Sequence, residues 1–289
     1  MTTKIIKTFG IIGNPVAHSL SPLFQEYFAR QLGIKAVYAP FHVPTEKLEL
    51  AIEGLLALGV DGFNVTVPFK EDILPLVSAD AEARAIGAVN TVKRQDDTWS
   101  ATNTDWRGLI AIIEAAKPDV TTALLLGAGG TARAVLHALV QSGTRRIFIS
   151  NRGRPRLESL LSHASSRYPD VELIDTPWLA AAIKDVAAAS QLIINTTSIG
   201  LSSDVREFPF RLAGTGLAID AVYRPDGRTL FVEAATQSGL KAMDGLSLLV
   251  AQGAASFHYW HGVSPDRMSA LRWLEDKLGR EPLPMPGWI

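Results

Sequence analysis

Apolar runs of strand length alternate with amphipathic runs of helix length along the chain. Lys7–Gly13 predicts a strand, Pro22–Leu32 a helix, Ala36–Val43 a strand and Thr45–Leu58 a helix. Gly62–Val67 is a further strand, closed by Pro68. Gly87–Lys93 and Trp99–Ala101 read as two short strands around the turn Gln95-Asp96-Asp97. Asp105–Ala116 then predicts a helix, with Thr104 or Asp105 as its N-cap.

A second series follows Lys117-Pro118-Asp119. Strands are expected at Ala123–Leu126, Arg146–Ser150, Val171–Ile174, Leu192–Asn195 and Leu217–Ala221. Helices are expected at Gly130–Ser142, Leu157–Ser166 and Trp178–Ala188. Both halves are β-α alternations, which favour parallel sheets with helices on their faces. Two last helices, Gly245–Trp260 and Pro265–Leu278, bring no strands and must dock on one of the sheets. The fold class is therefore α/β with two domains.

Composition supports this division. The 289 residues suffice for two domains, at ~150 residues each. Hydrophobic residues make up 47% and charged residues 20%, enough apolar side chain for sizeable cores and too little charge for a disordered chain. Twenty-eight basic and 29 acidic residues leave a net charge of -1, which argues against nucleic-acid binding through bulk positive charge. With no cysteine, disulfides, thiolate nucleophiles and Cys-based metal sites are excluded, and the six histidines show no metal-ligand spacing. The N-terminal apolar run is broken by Lys7, Gly10, Gly13 and Pro15, unlike a signal peptide. No uncharged apolar run reaches the ~18 residues needed to span a bilayer. A cytoplasmic protein without membrane or nucleic-acid partners is the expectation.

The strongest chemical signal is Leu124–Leu139: strand, glycine turn, apolar-faced helix. Gly127 permits the tight turn, Gly129 lets a pyrophosphate approach the backbone, and Gly130 opens a helix whose N-terminus attracts phosphate. The other reading is an ordinary glycine turn of a doubly wound fold. NAD-preferring sites place a carboxylate on the next strand end, for the ribose 2′-OH. Here Asn151-Arg152-Gly153-Arg154-Pro155-Arg156 stands there instead. Guanidinium groups match a 2′-phosphate, so NADP is favoured over NAD; the alternative is a solvated basic loop.

The N-terminal half carries weaker signals. Ser21-Pro22 is a capped helix start, and with Ser19 it offers two hydroxyls to a small anion such as a carboxylate. Asn64 and Thr66 share a strand face, and Lys70 follows the carboxyl end of that strand, where ligands of open α/β sheets bind. Asn90-Thr91 is a polar pair, and Asn103-Thr104-Asp105 puts a carboxylate at a helix start. Singly, each has a structural explanation: a cap, a surface charge. Together they are what a polyhydroxy carboxylate needs, and a Lys with an Asp suits acid–base work at a carbinol or ketone.

The ordered motifs GNPVAHSLSP, NVTVPFKE, GAVNT, NTD, GAGGTARA, NR, INTTSIG, DAVYRPDGRTLF and DGLSLLVAQGAASFHYW resemble the shikimate dehydrogenase family over nearly the whole chain. The resemblance implies an NADP-dependent oxidoreductase that reduces 3-dehydroshikimate to shikimate, reversibly, in aromatic amino-acid biosynthesis. It implies a substrate domain of residues 1–105 and 245–289 around a Rossmann-type NADP domain of residues 106–244, with the C-terminal helices packing back on the N-terminal domain. Lys70 and Asp105 would be the catalytic pair. Ser19, Ser21 and Tyr223 would hold the substrate carboxylate, and Thr66, Asn90 and Gln252 the ring hydroxyls. Gly127, Gly129, Gly130, Asn151, Arg152 and Arg156 would bind the cofactor, with Ala221 and Gly245 near the nicotinamide. No metal is implied, and a homodimer is the one assembly suggested.

Four departures stand out. Gln25-Glu26 occupies a position where many members have His, down the helix from the inferred contacts. Trp106 follows NTD, where a small residue is common. Gly153 replaces a Thr, leaving NADP preference to the arginines, and Leu248 replaces a frequent Met. Competing readings are a quinate/shikimate dehydrogenase, an NAD-preferring paralogue, and a non-catalytic NADP-binding regulator.

Overall fold

A computed structural model describes residues 6–116, 120–201 and 205–281; the expected break at Lys117-Pro118-Asp119 lies outside the described residues. The chain divides into two compact units. The first takes its described residues from Met1–Gly108 and Leu249–Leu274, the second from Leu109–Leu248 and Glu275–Ile289. Among the described residues, no helix is long and apolar enough to cross a membrane.

In the first unit the elements are β1 (Lys7–Gly13), α1 (Ser21–Gln31), β2 (Ala36–His42), α2 (Leu48–Ala57), β3 (Gly62–Val65), β4 (Ser78–Ala79), α3 (Ala81–Ile86), β5 (Thr91–Gln95) and β6 (Thr98–Thr102). Its sheet runs β2-β1-β3-β5-β6-β4. Strands β1, β2 and β3 are parallel, but β5 pairs antiparallel with both β3 and β6. The expected parallel pairing holds for β1 to β3, and the two strands expected around Gln95-Asp96-Asp97 add an antiparallel hairpin to it. The cause is local: Asp96 adopts φ 54°, and a two-residue turn folds β5 directly onto β6, pairing Gln95 with Thr98.

Both faces of this sheet are buried. Ile12, Phe63, Val65 and Val92 pack with Leu48, Ile52 and Leu55 of α2 and with Trp99. Phe9 and Ile11 turn to the other face, where they meet Tyr38 and Trp260. Trp260 lies on the C-terminal helix α9 (Leu246–His261), and its indole Nε1 donates to the Val92 carbonyl at 2.9 Å. From the last helix, α10 (Arg267–Leu278), Trp273 stacks on Tyr27 of α1 with ring centroids 4.8 Å apart. The strandless C-terminal helices thus pack on the first unit, α9 against its sheet and α10 against α1.

The second unit begins within α4 (Asp105–Ala116) and continues through β7 (Thr122–Leu126), α5 (Gly130–Gln141), β8 (Arg146–Ser150), α6 (Arg154–Arg167), β9 (Glu172–Asp175), α7 (Ala180–Ala188), β10 (Leu192–Asn195), β11 (Leu217–Asp220), α8 (Leu230–Gln237) and β12 (Lys241–Met243). Its strand order is β12-β11-β10-β7-β8-β9, with every pairing parallel. This is the doubly wound Rossmann order, whose direction reverses between β7 and β10. Ala123–Leu126 are fully buried, as a central parallel strand requires.

Four short elements were absent from the sequence expectation: β4, α3, α8 and β12. Helices α3 and α8 carry ordinary caps. Asp80 accepts the Ala83 amide at 2.7 Å, and Thr229 accepts that of Val232 at 3.2 Å.

Candidate active site

The first unit brings Lys70 and Asp105 together. Lys70 follows β3, and its carbonyl accepts the Val89 amide at 2.7 Å, which fixes the backbone beneath the side chain. Asp105 opens α4, where a carboxylate complements the helix dipole, and its own amide is capped by Asn103 Oδ1 at 3.0 Å. Lys70 Nζ donates to Asp105 Oδ2 at 2.6 Å, with side chains only 12% and 10% exposed. Such a pair keeps an ammonium aimed and available where negative charge develops on a carbonyl oxygen.

Asn90 completes this pair. Its Nδ2 donates to Asp105 Oδ1 at 2.7 Å and to Gln252 Oε1 at 3.2 Å. Its Oδ1 accepts the Thr104 amide at 2.7 Å. Gln252 comes from α9, so the C-terminal return of the chain supplies part of the site. Ser19 and Ser21 lie at the start of α1. Ser19 Oγ accepts the Ser21 amide at 3.2 Å, and the Ser21 side chain hydrogen-bonds the Tyr38 phenol. Burial raises the Tyr38 pKa well above its ordinary value, so this phenol stays protonated. Thr66 donates its amide to the Ile12 carbonyl at 2.9 Å, and its methyl fills the space that a side chain at Gly13 would need.

Gln25 is not as remote as its place on the helix suggested. It is buried and donates to the Gly253 carbonyl at 2.9 Å, tying α1 to the turn of α9 beside Gln252. Trp106 is half-buried with the Arg107 guanidinium 4.7 Å above its ring.

The second unit holds the glycine turn. Gly127 has φ +113°, and a Cβ there would collide with Thr196 Oγ1, so glycine is required twice over. Gly129 is the N-cap of α5 and Gly130 its first residue. This helix start has no side-chain cap and no acidic residue in its first turn. It therefore presents amide donors and positive dipole at the carboxyl end of β7, at the switch point of the sheet.

Arg156 is not in a loop, as the basic-loop reading had it. Helix α6 starts at Arg154 with Pro155 in its first turn, so Arg154 and Arg156 sit at a helix N-terminus. Cations there oppose the dipole, an arrangement that an anionic ligand would relieve. Arg154 is already occupied, by Asp175 at 2.6 Å and Glu158 at 3.4 Å. Arg152 and Arg156 are exposed and make no ion pair among the described residues. Asn151 Nδ2 donates to the Gly153 carbonyl at 2.8 Å, shaping the turn that carries them. The residues present fit a dinucleotide bearing a 2′-phosphate.

Ala221 and Gly245 touch: a Cβ at Gly245 would collide with the Ala221 carbonyl. Tyr223, half-buried, follows two residues after Ala221 and belongs to the second unit with it. Leu248 is buried.

Sequence reasoning missed a polar cluster beneath these residues. Asp220 ends β11 buried, accepting from Asn195 Nδ2 at 2.8 Å, the Val222 amide at 3.0 Å and Thr229 Oγ1 at 2.6 Å. Desolvation pushes its pKa up to about 6, despite those three donors. Nearby Asp244 receives Arg280 in a two-point bridge, Nη1–Oδ2 at 2.9 Å and Nη2–Oδ1 at 3.0 Å. Their side chains are 2% and 4% exposed. The sequence signal was faint: an Asp directly before Gly245, and an Arg beyond the last helix.

Two family models match the chain, the shikimate dehydrogenase substrate binding domain over residues 11–92 and shikimate / quinate 5-dehydrogenase over residues 111–200. The chain is 38% identical over 281 residues to the shikimate dehydrogenase (NADP(+)) of Thermosynechococcus vestitus, covering 94% of this chain and 96% of that one. The crystal structure of shikimate dehydrogenase from Aquifex aeolicus matches with TM-score 0.81 and 37% identity, over 94% of this chain and 98% of that one. The Thermus thermophilus enzyme in complex with NADP(H) and shikimate matches with TM-score 0.78 and 31% identity, over 94% and 100%. A Lys–Asp pair on one α/β unit, a dinucleotide turn on the other and these likenesses agree: the chain belongs to the shikimate dehydrogenase family.

Proposed function

We propose that the protein is an NADP-dependent shikimate dehydrogenase, interconverting 3-dehydroshikimate and shikimate in the route to aromatic amino acids. The observation that carries this reading is the Lys70–Asp105 ion pair at 2.6 Å in a chain of this family. Most of the residues assigned to the substrate lie in the first unit and those assigned to the cofactor in the second.

When bound, NADP(H) supplies the hydride for reduction or accepts it in the reverse direction. The chain does the rest. Lys70, as ammonium, stabilises the negative charge that grows on the ketone oxygen and delivers the proton that makes it a hydroxyl. Asp105 aims Lys70 and accepts from a neighbouring ring hydroxyl. Ser19, Ser21 and Tyr223 hold the carboxylate; Thr66, Asn90 and Gln252 read the ring hydroxyls. Gly127, Gly129 and Gly130 bring the amides of α5 to the pyrophosphate. Asn151, Arg152 and Arg156 take the adenosine end with its 2′-phosphate, and Ala221 and Gly245 flank the nicotinamide. The same reading carries a cytoplasmic location, where NADP(H) is held, and a homodimer, which light scattering would test.

A second reading, broader use of quinate, is favoured by the shikimate / quinate description of the model matching residues 111–200. The test is reduction of NADP⁺ and NAD⁺, followed by absorbance, with shikimate and then quinate. Turnover with shikimate and NADP⁺ supports the proposal. Turnover with quinate supports the second reading, and NAD⁺ preference would remove the role given to Arg152 and Arg156.

A further inference from the structure

Behind Asn90 lies a closed circuit of hydroxyl groups. Asn90 Nδ2 donates to Thr104 Oγ1 at 3.0 Å. Thr104 Oγ1 lies 3.0 Å from Ser256 Oγ, and Ser256 Oγ lies 2.8 Å from Thr91 Oγ1. Thr91 Oγ1 donates to Asn90 Oδ1 at 3.0 Å. A hydroxyl has one proton and can both donate and accept. One consistent arrangement of the protons runs the same way round, Asn90 to Thr104, to Ser256, to Thr91 and back to Asn90, while the Asn90 Oδ1 at 3.2 Å and the Gln252 carbonyl at 3.1 Å offer second acceptors to Thr104 and Ser256. Aligned hydrogen bonds of this kind polarise and strengthen one another in a buried setting. Thr91 and Ser256 are fully buried, and Thr104 nearly so.

The circuit starts and ends on a single amide. That gives the Asn90 side chain a direction: Oδ1 faces the Thr91 hydroxyl and the Thr104 amide, and Nδ2 faces Asp105. The reversed amide would set a carbonyl oxygen 2.7 Å from the Asp105 carboxylate and turn its NH2 toward the Thr104 backbone N–H, leaving that donor without an acceptor. Asn64 braces the ring from the far side. Its Nδ2 donates to Ser256 Oγ at 2.9 Å and Thr91 Oγ1 at 3.1 Å, while its Oδ1 accepts from Tyr38 at 2.8 Å. Ser256 sits one helical turn after Gln252 on α9, so the ring also ties α9 to β3, β5 and the start of α4.

We infer that Thr91 and Ser256 are positioning residues: their hydroxyls close a hydrogen-bonded ring on the Asn90 amide and so hold Asp105, and through it Lys70, in the reactive orientation. The inference rests on the catalytic role proposed for that pair. Neither residue touches the reacting atoms.

The test is steady-state oxidation of shikimate by NADP⁺ with wild type, Thr91→Val, Thr91→Ser and Ser256→Ala. Valine keeps the volume of threonine and removes the hydroxyl. Thr91→Val should lower kcat about tenfold, with the KM for NADP⁺ unchanged within about twofold, since the cofactor residues belong to the other unit. Thr91→Ser restores the hydroxyl and should recover kcat to within about threefold of wild type. Ser256→Ala opens the same ring and should act in the same direction, and it decides the matter if Thr91→Val does not fold. The inference is overturned if Thr91→Val and Ser256→Ala keep wild-type kcat. It is equally overturned if Thr91→Ser is as slow as Thr91→Val, or if kcat and cofactor KM worsen together. A wild-type protein that leaves shikimate untouched would instead overturn the proposed function itself, and the inference with it.

Discussion

Arg280 and Asp244 form the most deeply buried ion pair described in the molecule, with side chains 4% and 2% exposed. Replacing Arg280 with Met removes two charge-assisted hydrogen bonds, at 2.9 and 3.0 Å, and keeps most of the volume. The Leu246 amide, 3.3 Å away, remains on Asp244, whose charge already acts unfavourably on buried Asp220. Stranding a buried carboxylate in this way costs about 3–5 kcal/mol. For a unit of roughly 150 residues, with an unfolding entropy of about 2.1 cal/mol/K per residue, that lowers Tm by roughly 10–15 °C. Calorimetry or denaturant titration followed by Trp178 fluorescence measures it. The double variant Arg280→Met/Asp244→Leu should regain most of the loss, because removing both charges leaves nothing unpaired. Moderate salt should change neither result, as a buried pair is little screened. A loss below about 1 kcal/mol for Arg280→Met, or a double variant no better than the single one, would refute the reasoning.

Three further outcomes are expected. Lys70→Ala should lower kcat by two or more orders of magnitude while NADPH still binds, measured by kinetics beside fluorescence titration; equal loss of both would make Lys70 structural. Arg152→Ala and Arg156→Ala should each raise the NADP⁺ KM about tenfold or more with little effect on NAD⁺, whereas Arg154→Ala, already paired with Asp175, should change the NADP⁺ KM far less. Asp220 has a folded pKa of about 6, above its ordinary value, so the folded state holds its proton more tightly. The stability it contributes is present below about pH 4 and is lost as pH rises through 6. Stability of Asp220→Asn relative to wild type should therefore improve between pH 4 and pH 7, and a flat difference would contradict the shift.

Much of the fold is legible from local pattern. The expected limits of β1, α4, β8 and β10 match those observed, because each is a continuous apolar run or a capped amphipathic one. The missed elements span from two to eight residues, too short for periodicity to register; only the caps Asp80 and Thr229 announced the two helices. The two strands of the β5–β6 hairpin are legible, but their antiparallel place in the sheet is not, since alternation marks a strand without giving its partner. Helix α6 starts earlier than expected because Pro155, read as part of a loop, is instead a first-turn proline.

The candidate site divides differently. Gly127, Gly129 and Gly130 follow from the physics of a phosphate turn. The adjacency of Lys70 and Asp105 does not, since nothing local joins residues 35 positions apart. Ser256 is harder still. A serine on an apolar helix looks like any core serine, and its partners stand 152 to 192 residues away.

The first unit is assembled from two stretches that the whole second sheet interrupts. This sets an order of events on the ribosome. When residue 108 has been made, Phe9, Ile11 and the Val92 carbonyl still lack Trp260, and Asn90 lacks Gln252. At ~5–20 residues per second, the missing helix is roughly seven to thirty seconds away. All strands of the second sheet, by contrast, lie between residues 122 and 243 and can pair before that helix emerges. The amino-terminal sheet is thus translated first and finished last, and its Phe9–Ile11 face stays uncovered until Trp260 emerges.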